Sequence, residues 1–235
     1  MAERSAYDFA LLLSEKQKKG GTDMKKTFIR TVIYTLCLLT SAILIVVSLL
    51  SMFAPGVMAN LSYTLGDKRT CVWYTRKEYE RNGSLSTLDK LLYRVKWLDN
   101  DKLVVKYSKE MIEYDYFDAF CEKKDKESDL TNAGSYRDYI CGDYVVALYE
   151  TNQFEQAINF AYDEIIRGDE YGEYNVFRSL IYHVAEKKDV PALKTLLEKL
   201  EVLINSDTIQ DDELAKNDKA LFTELVNKLS GETNE

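Results

Sequence analysis

Residues Thr31 to Phe53 carry no charged side chain and are dominated by Ile, Leu, Val, Thr and Ser. As a helix, these 23 residues would extend about 34 Å at about 1.5 Å per residue, enough to cross a hydrocarbon core of about 30 Å. The stretch predicts one transmembrane helix over 31–53. A basic segment, 1–30, precedes it, and a water-soluble region follows. Seven Lys/Arg against four Asp/Glu give residues 1–30 a net +3, so of the formal −8 for the whole chain the remainder carries −11. An acidic region without a basic cluster argues against nucleic acid as partner, because phosphate affinity needs clustered Lys and Arg.

The same charges set an expected orientation. Lys16, Lys18, Lys19, Lys25, Lys26 and Arg30 precede the apolar run, whereas only Lys68 and Arg69 occur in the twenty residues after it. Positive charge is retained on the cytoplasmic side during insertion. The N-terminus is therefore expected in the cytoplasm and the soluble region on the non-cytoplasmic side, as a single-pass signal anchor. The competing reading is a cleaved signal peptide ending at Val57-Met58-Ala59, with Met24 as the start; the apolar run is longer than the usual apolar core of about 7–15 residues. Residues 1–19 place Ala6, Phe9, Ala10 and Leu13 on one helical stripe, which Gly20-Gly21 is expected to break.

Two prolines and ten glycines in 235 residues leave few helix breakers, and the soluble region reads as all-α. Helices are expected at about Pro55–Leu65, Lys68–Arg81, Leu85–Leu98, Leu103–Met111, Ile140–Tyr149, Phe154–Ile165, Tyr174–Lys187, Val190–Ile204 and Leu214–Leu229. Ser84 is the expected N-cap of the third. Charged and polar residues from Glu122 to Gly134 read as a loop or inserted arm. Cys71, Cys121 and Cys141 are expected either as buried free thiols or, if the domain is outside the cytoplasm, with one disulfide such as Cys121–Cys141.

Helix, short polar turn, helix recurs. The turns Gly66-Asp67 and Asn100-Asp101 are 34 residues apart, and Asn152-Gln153 and Lys188-Asp189 are 36 apart. The 52-residue interval between the middle two reads as one repeat plus the 122–134 insertion. With Asn152, Phe154 and Ala157 standing for a turn residue, an aromatic and a small residue, the chain resembles the tetratricopeptide repeat (TPR) family. Ala59 and Gly66 match in the first repeat, Val190 and Leu193 in the fourth; Lys68 and Cys71 depart from the pattern. The resemblance implies an α-solenoid of antiparallel helix pairs over 55–204, followed by a C-terminal helix and tail over 205–235. It also implies a non-catalytic domain that docks a protein or peptide.

The chemistry-bearing residues agree with that expectation. His183 is the only histidine, and with no second histidine and no cysteine near it in sequence, no Ser-His-Asp, Cys-His or zinc constellation is identifiable around it. Neither a phosphate-binding glycine loop nor a dinucleotide fingerprint occurs; no catalytic residue, cofactor or metal is expected. Tyrosine is abundant, at 17 residues, and Tyr139, Tyr144, Tyr149, Tyr162, Tyr171 and Tyr174 are the candidate partner-binding groove, with basic segments favoured as ligands. The alternatives are a self-associating structural membrane protein, a homo-oligomer packed through Tyr34, Thr35, Thr40, Ser41 and Ser48, or a secreted hydrolase.

Overall fold

The computed structural model describes residues 2–127, 135–167, 174–206, 208–209 and 212–231, with side chains from residue 26 onward except at 167 and 212. The described residues form eleven α-helices and no strand. The chain divides into two compact units, residues 1–58 and 59–235.

In the first unit, α1 runs unbroken from Ala2 to Phe53. Gly20-Gly21, expected to end a separate N-terminal helix, lies inside it. A glycine weakens a helix by only about 1 kcal/mol and need not terminate one. The segment Lys26–Phe53 has a mean hydropathy of 2.6 over its most apolar window and none of that window is buried. It is long and apolar enough to cross a membrane. Its polar residues are satisfied along its own axis: Thr31, Thr35 and Ser41 each donate a hydroxyl proton to the carbonyl four residues back, at 2.8–3.0 Å. A hydroxyl bonded in this way does not demand water.

The remaining helices are α2 (Pro55–Thr64), α3 (Lys68–Asn82), α4 (Leu85–Val95), α5 (Asp101–Ile112), α6 (Phe117–Glu127), α7 (Tyr136–Glu150), α8 (Phe154–Arg167), α9 (Tyr174–Glu186), α10 (Val190–Asn205) and α11 (Asp212–Ser230). A 3₁₀ turn, Lys96–Leu98, extends α4. Glu122–Glu127, read as part of a loop or inserted arm, are helical and belong to α6, whose buried Phe117 and Cys121 hold it against the core even though its outer face is charged. The remainder of the expected insertion, 128–134, lies outside the described residues.

A single type of turn reverses the chain again and again. Gly66, Asn152 and Lys188 have left-handed backbones, with φ of 74°, 61° and 56°. After each, the next N–H reaches back five residues: Asp67 to Ser62 at 3.0 Å, Gln153 to Leu148 at 2.8 Å and Asp189 to Val184 at 3.3 Å. These are Schellman closures, which satisfy carbonyls that the helix end would leave bare. The residue that closes one helix also opens the next. Asp67 accepts from the Thr70 N–H and Asp189 from the Ala192 N–H. Asn100 caps α5 after left-handed Asp99, one residue earlier than the expected Asn100-Asp101 pivot, and Ser84 caps α4 after left-handed Gly83.

Successive helices pack on their neighbours: α3 on α4, α4 on α5, α7 on α8, α8 on α9, α9 on α10 and α10 on α11. In addition α5, α7 and α9 lie side by side, and α6 packs on α7. Apolar residues at 3- and 4-residue spacing line the seams, among them Leu88, Leu91, Leu92 and Val95 on α4, and Phe177, Leu180, Ile181 and Val184 on α9. Together with Leu193, Leu196 and Leu200 of α10 they belong to one continuous core.

Inside that core sits a charge cluster. Arg137 of α7 donates Nε and Nη2 to the Glu164 carboxylate of α8 at 2.7–2.9 Å, and a further N–H to Asp118 of α6. The Arg137 side chain is 12% exposed and that of Glu164 only 4%. Burial alone would lower the Arg137 pKa, but Glu164 raises it, so the guanidinium remains charged. Cys71, Cys121 and Cys141 are buried thiols, and the Cys121–Cys141 disulfide is not formed. Burial pushes the Cys121 thiol up to about 12.

Two stability predictions follow from these features. Lys188→Gly removes a side chain from a left-handed position and is expected to raise stability by about 1 kcal/mol in urea denaturation. Arg137→Leu is expected to cost about 3–5 kcal/mol, because Glu164 loses its bidentate partner in a dry site, with much of the loss recovered in Arg137→Leu/Glu164→Leu; full additivity of the two changes would count against the coupling.

Candidate functional site

Helices α7 and α9 approach each other closely where Gly142 meets Ser179. A Cβ on Gly142 would stand 3.0 Å from Ser179 Oγ and 3.3 Å from Ser179 Cβ, so the absent side chain permits the approach. Along this crossing runs a groove of about 550 Å³, lined by Asp138, Tyr139, Gly142, Asp143 and Val146 of α7 and by Asn175, Arg178, Ser179 and Tyr182 of α9. Its size falls within the ordinary range for ligand sites of about 300–1,000 Å³.

The polar side chains of this groove are held in place from behind. Buried Asp218 of α11 accepts hydrogen bonds from the hydroxyls of Tyr174 and Tyr182, both at 3.0 Å, and from Arg178 Nε at 2.9 Å. The Arg178 guanidinium also lies over the Tyr182 ring, 5.0 Å from its centroid. On the other wall, Lys96 donates to Tyr139 Oη at 2.7 Å and to the Asp143 carboxylate. Burial opposes charging both members of the Lys96–Asp143 pair; for Lys96 the bonds to Asp143 and Tyr139 prevail and raise its pKa. Asp143 is thereby neutralised by Lys96, and Arg178 by Asp218.

Asp138 stands apart. Its Oδ2 accepts from the Ser135 N–H at 3.0 Å, completing a capping box at the start of α7, and from Asn175 Nδ2 at 2.9 Å. Its Oδ1 is shielded from solvent and has no hydrogen-bond partner among the described residues, on a side chain that is about nine-tenths buried. An acceptor left in this state favours a donor brought by something else.

The six candidate tyrosines do not form one surface. Tyr139 lines the α7/α9 groove and is 46% exposed. Tyr144 is buried, edge-on to Phe160 at 4.9 Å between centroids, and Tyr174 is buried on Asp218. Tyr162 is half-buried against the core. Tyr149 lines a second recess of about 340 Å³ with Glu150, Asn152, Phe154, Lys187 and Asp189. Tyr171 lies outside the described residues. Helical phase explains the split: the tyrosines of α7 at 139, 144 and 149 are spaced by five, which carries them round the helix instead of along one face. The residues that do share a face, Asp138/Tyr139, Gly142/Asp143 and Val146 on α7, with Asn175, Arg178/Ser179 and Tyr182 on α9, follow 3- and 4-residue spacing. That stripe was legible as a polar interruption in two otherwise apolar helices.

The only histidine in the sequence bonds to Glu150, a residue of the second recess. His183 Nε2 lies 2.6 Å from Glu150 Oε1, Lys187 Nζ lies 2.5 Å from the same oxygen, and the Tyr149 hydroxyl donates to Asp189 at 2.8 Å. Hydrogen bonds from Lys187 and His183 lower the Glu150 pKa, while burial and the bond to Asp189 push Tyr149 up to about 12. No group of His, Cys, Asp and Glu able to hold a metal ion is found among the described residues. Compared with protein-family models, curated proteins and solved structures, the chain matches none.

The depressed Glu150 carboxyl has a definite pH signature. Its pairing contributes stability that is complete above the ordinary glutamate value and is lost as pH falls through the lower folded-state value. Glu150→Gln is therefore expected to flatten the acid limb of a plot of Tm against pH below about pH 5. An unchanged acid limb would mean that the pair is solvent-averaged and idle.

Proposed function

We propose that this chain is a single-pass membrane protein whose soluble unit is a TPR-like docking module, displayed on the non-cytoplasmic side, that binds a protein or peptide partner in the α7/α9 groove. The observation that carries the reading is the groove itself, with its polar side chains braced from behind and one buried acceptor, Asp138 Oδ1, without a partner. Braced side chains lose little freedom on binding, so modest contacts yield usable affinity. With Asp143 and Arg178 each neutralised by a neighbour, Asp138 is the carboxylate lining the groove that has no cation beside it. A donor-bearing segment, peptide N–H or basic side chain, fits that balance.

The order of packing supports a solenoid, in a register different from the one that the turns suggest. The helices α3, α5, α7, α9 and α11 begin at residues 68, 101, 136, 174 and 212, intervals of 33, 35, 38 and 38. Each of α4, α6, α8 and α10 packs on the odd-numbered helix that follows it. In this register α6 takes the even-numbered place between α5 and α7 and packs on α7. Membrane anchoring is supported by the exposed apolar length of α1, and anchoring would raise the effective concentration of the module for partners at the same surface.

The test uses the full chain in its membrane. A photo-crosslinking residue at Tyr182 is expected to trap a discrete partner that one at exposed Tyr116 does not. Val146→Arg, which fills the groove from a half-buried position, is expected to reduce trapping by about tenfold or more while changing stability by no more than about 1 kcal/mol. Equal trapping at the two positions, or indifference to Val146→Arg, overturns the groove assignment. Protease added to intact cells is expected to destroy a C-terminal tag and spare a short N-terminal fragment; protection of the C-terminal tag reverses the orientation.

A further inference from the structure

The aromatic residues nearest the apolar segment in sequence are gathered with others that are far from it. Tyr63 of α2 stacks on Trp97 with ring centroids 5.2 Å apart, and Tyr93 of α4 meets the same indole edge-on, also at 5.2 Å. With Gly66 and Lys68 these three rings line an open recess of about 350 Å³. Tyr63 and Tyr93 are each more than half exposed, and the neighbouring Leu61 and Leu65 are exposed as well. Water is a poor environment for such a group of side chains.

The charge around the patch runs against that of the soluble unit. Lys68 and Arg69 are exposed and, among the described residues, neither forms a salt bridge; Arg94 donates to neutral oxygens, Thr75 Oγ1 at 2.6 Å and Asn60 Oδ1 at 3.0 Å, with its guanidinium 5.9 Å from the centre of the Tyr63 ring. Asp67 is held by the Thr70 N–H as the cap of α3, and both that bond and the nearby Arg69 charge lower its pKa. Lys68, Arg69 and Arg94 therefore flank an exposed aromatic cluster in a region that is otherwise strongly acidic.

We propose that Tyr63, Tyr93 and Trp97, with Lys68, Arg69 and Arg94, form a platform that rests in the headgroup layer of the bilayer crossed by α1. The proposal relies on the membrane reading of α1. Tryptophan and tyrosine favour that layer because each has an apolar body and a polar tip, and the cations match the phosphates there. The covalent tether suits the distance: Tyr63 follows Phe53 by ten residues, and the helical stretch from Pro55 to Tyr63 rises only about 12 Å. Platform contact would fix the soluble unit relative to the membrane and thereby set the direction in which the α7/α9 groove opens.

Trp73 and Trp97 are the only tryptophans, which makes the test direct. The full chain carrying Trp73→Phe is reconstituted into anionic vesicles containing lipid spin-labelled either near the headgroup or at the acyl-chain end. Trp97 emission is expected to lose most of its intensity to the shallow label and little to the deep one. The complementary variant Trp97→Phe, which keeps Trp73 in the wild-type background, is expected to show much weaker shallow quenching and guards against a folding defect of the first variant. Flotation of the protein with the vesicles reports insertion separately. Protein that floats with an unquenched Trp97 overturns the platform and leaves the anchor standing, whereas protein that fails to float overturns the anchor itself.

Discussion

The fold depends on a reversal in which one residue adopts positive φ and its successor both closes the old helix and caps the new one. The device occurs in full at Gly66-Asp67 and Lys188-Asp189, while Asn152-Gln153 has the same closure without a side-chain cap. It satisfies orphaned backbone groups on two helices within two residues, so consecutive helices can be packed tightly with almost no loop. Lys188 accepts a strained backbone to make this turn, a cost that the packing of α9 and α10 offsets.

Tight reversals bring helices together; the polar pairs decide how they sit. Arg137 ties α7 to α6 and α8 through Asp118 and Glu164, and Asp218 ties α11 to α9 through Tyr174, Arg178 and Tyr182. The Arg137–Glu164 and Tyr174–Asp218 contacts are the buried parts of these ties, where a missing partner costs more than the pair contributes. This favours specificity of arrangement over gross stability. The same ties orient the walls of the α7/α9 groove, so the features that fix the packing also pre-position the candidate site.

The proposed platform and the proposed groove divide the soluble unit into two tasks. The first, formed by Tyr63, Tyr93 and Trp97, combines exposed aromatic rings with the cations Lys68, Arg69 and Arg94. The groove is braced from behind and carries the Asp138 carboxylate. Beside the second recess, His183 and Lys187 both bond the Glu150 carboxylate.

The sequence alone determined the helical class, most helix boundaries within a residue or two, the Ser84 N-cap and the apolar segment capable of crossing a membrane. These are local properties: 3.6-residue periodicity, cap chemistry and a run without charge are all readable within about twenty residues. It read Gly20-Gly21 as a break and did not extend a helix through Glu122–Glu127, because local composition cannot show whether neighbouring turns will carry a weak helix. Only the tertiary structure decided which tyrosines meet, that Cys121 and Cys141 form no disulfide, and that Asp138 keeps, among the described residues, an unpartnered oxygen beside a groove. Those outcomes depend on the rotation of one helix about its axis relative to another, which is set by packing partners far apart in the chain.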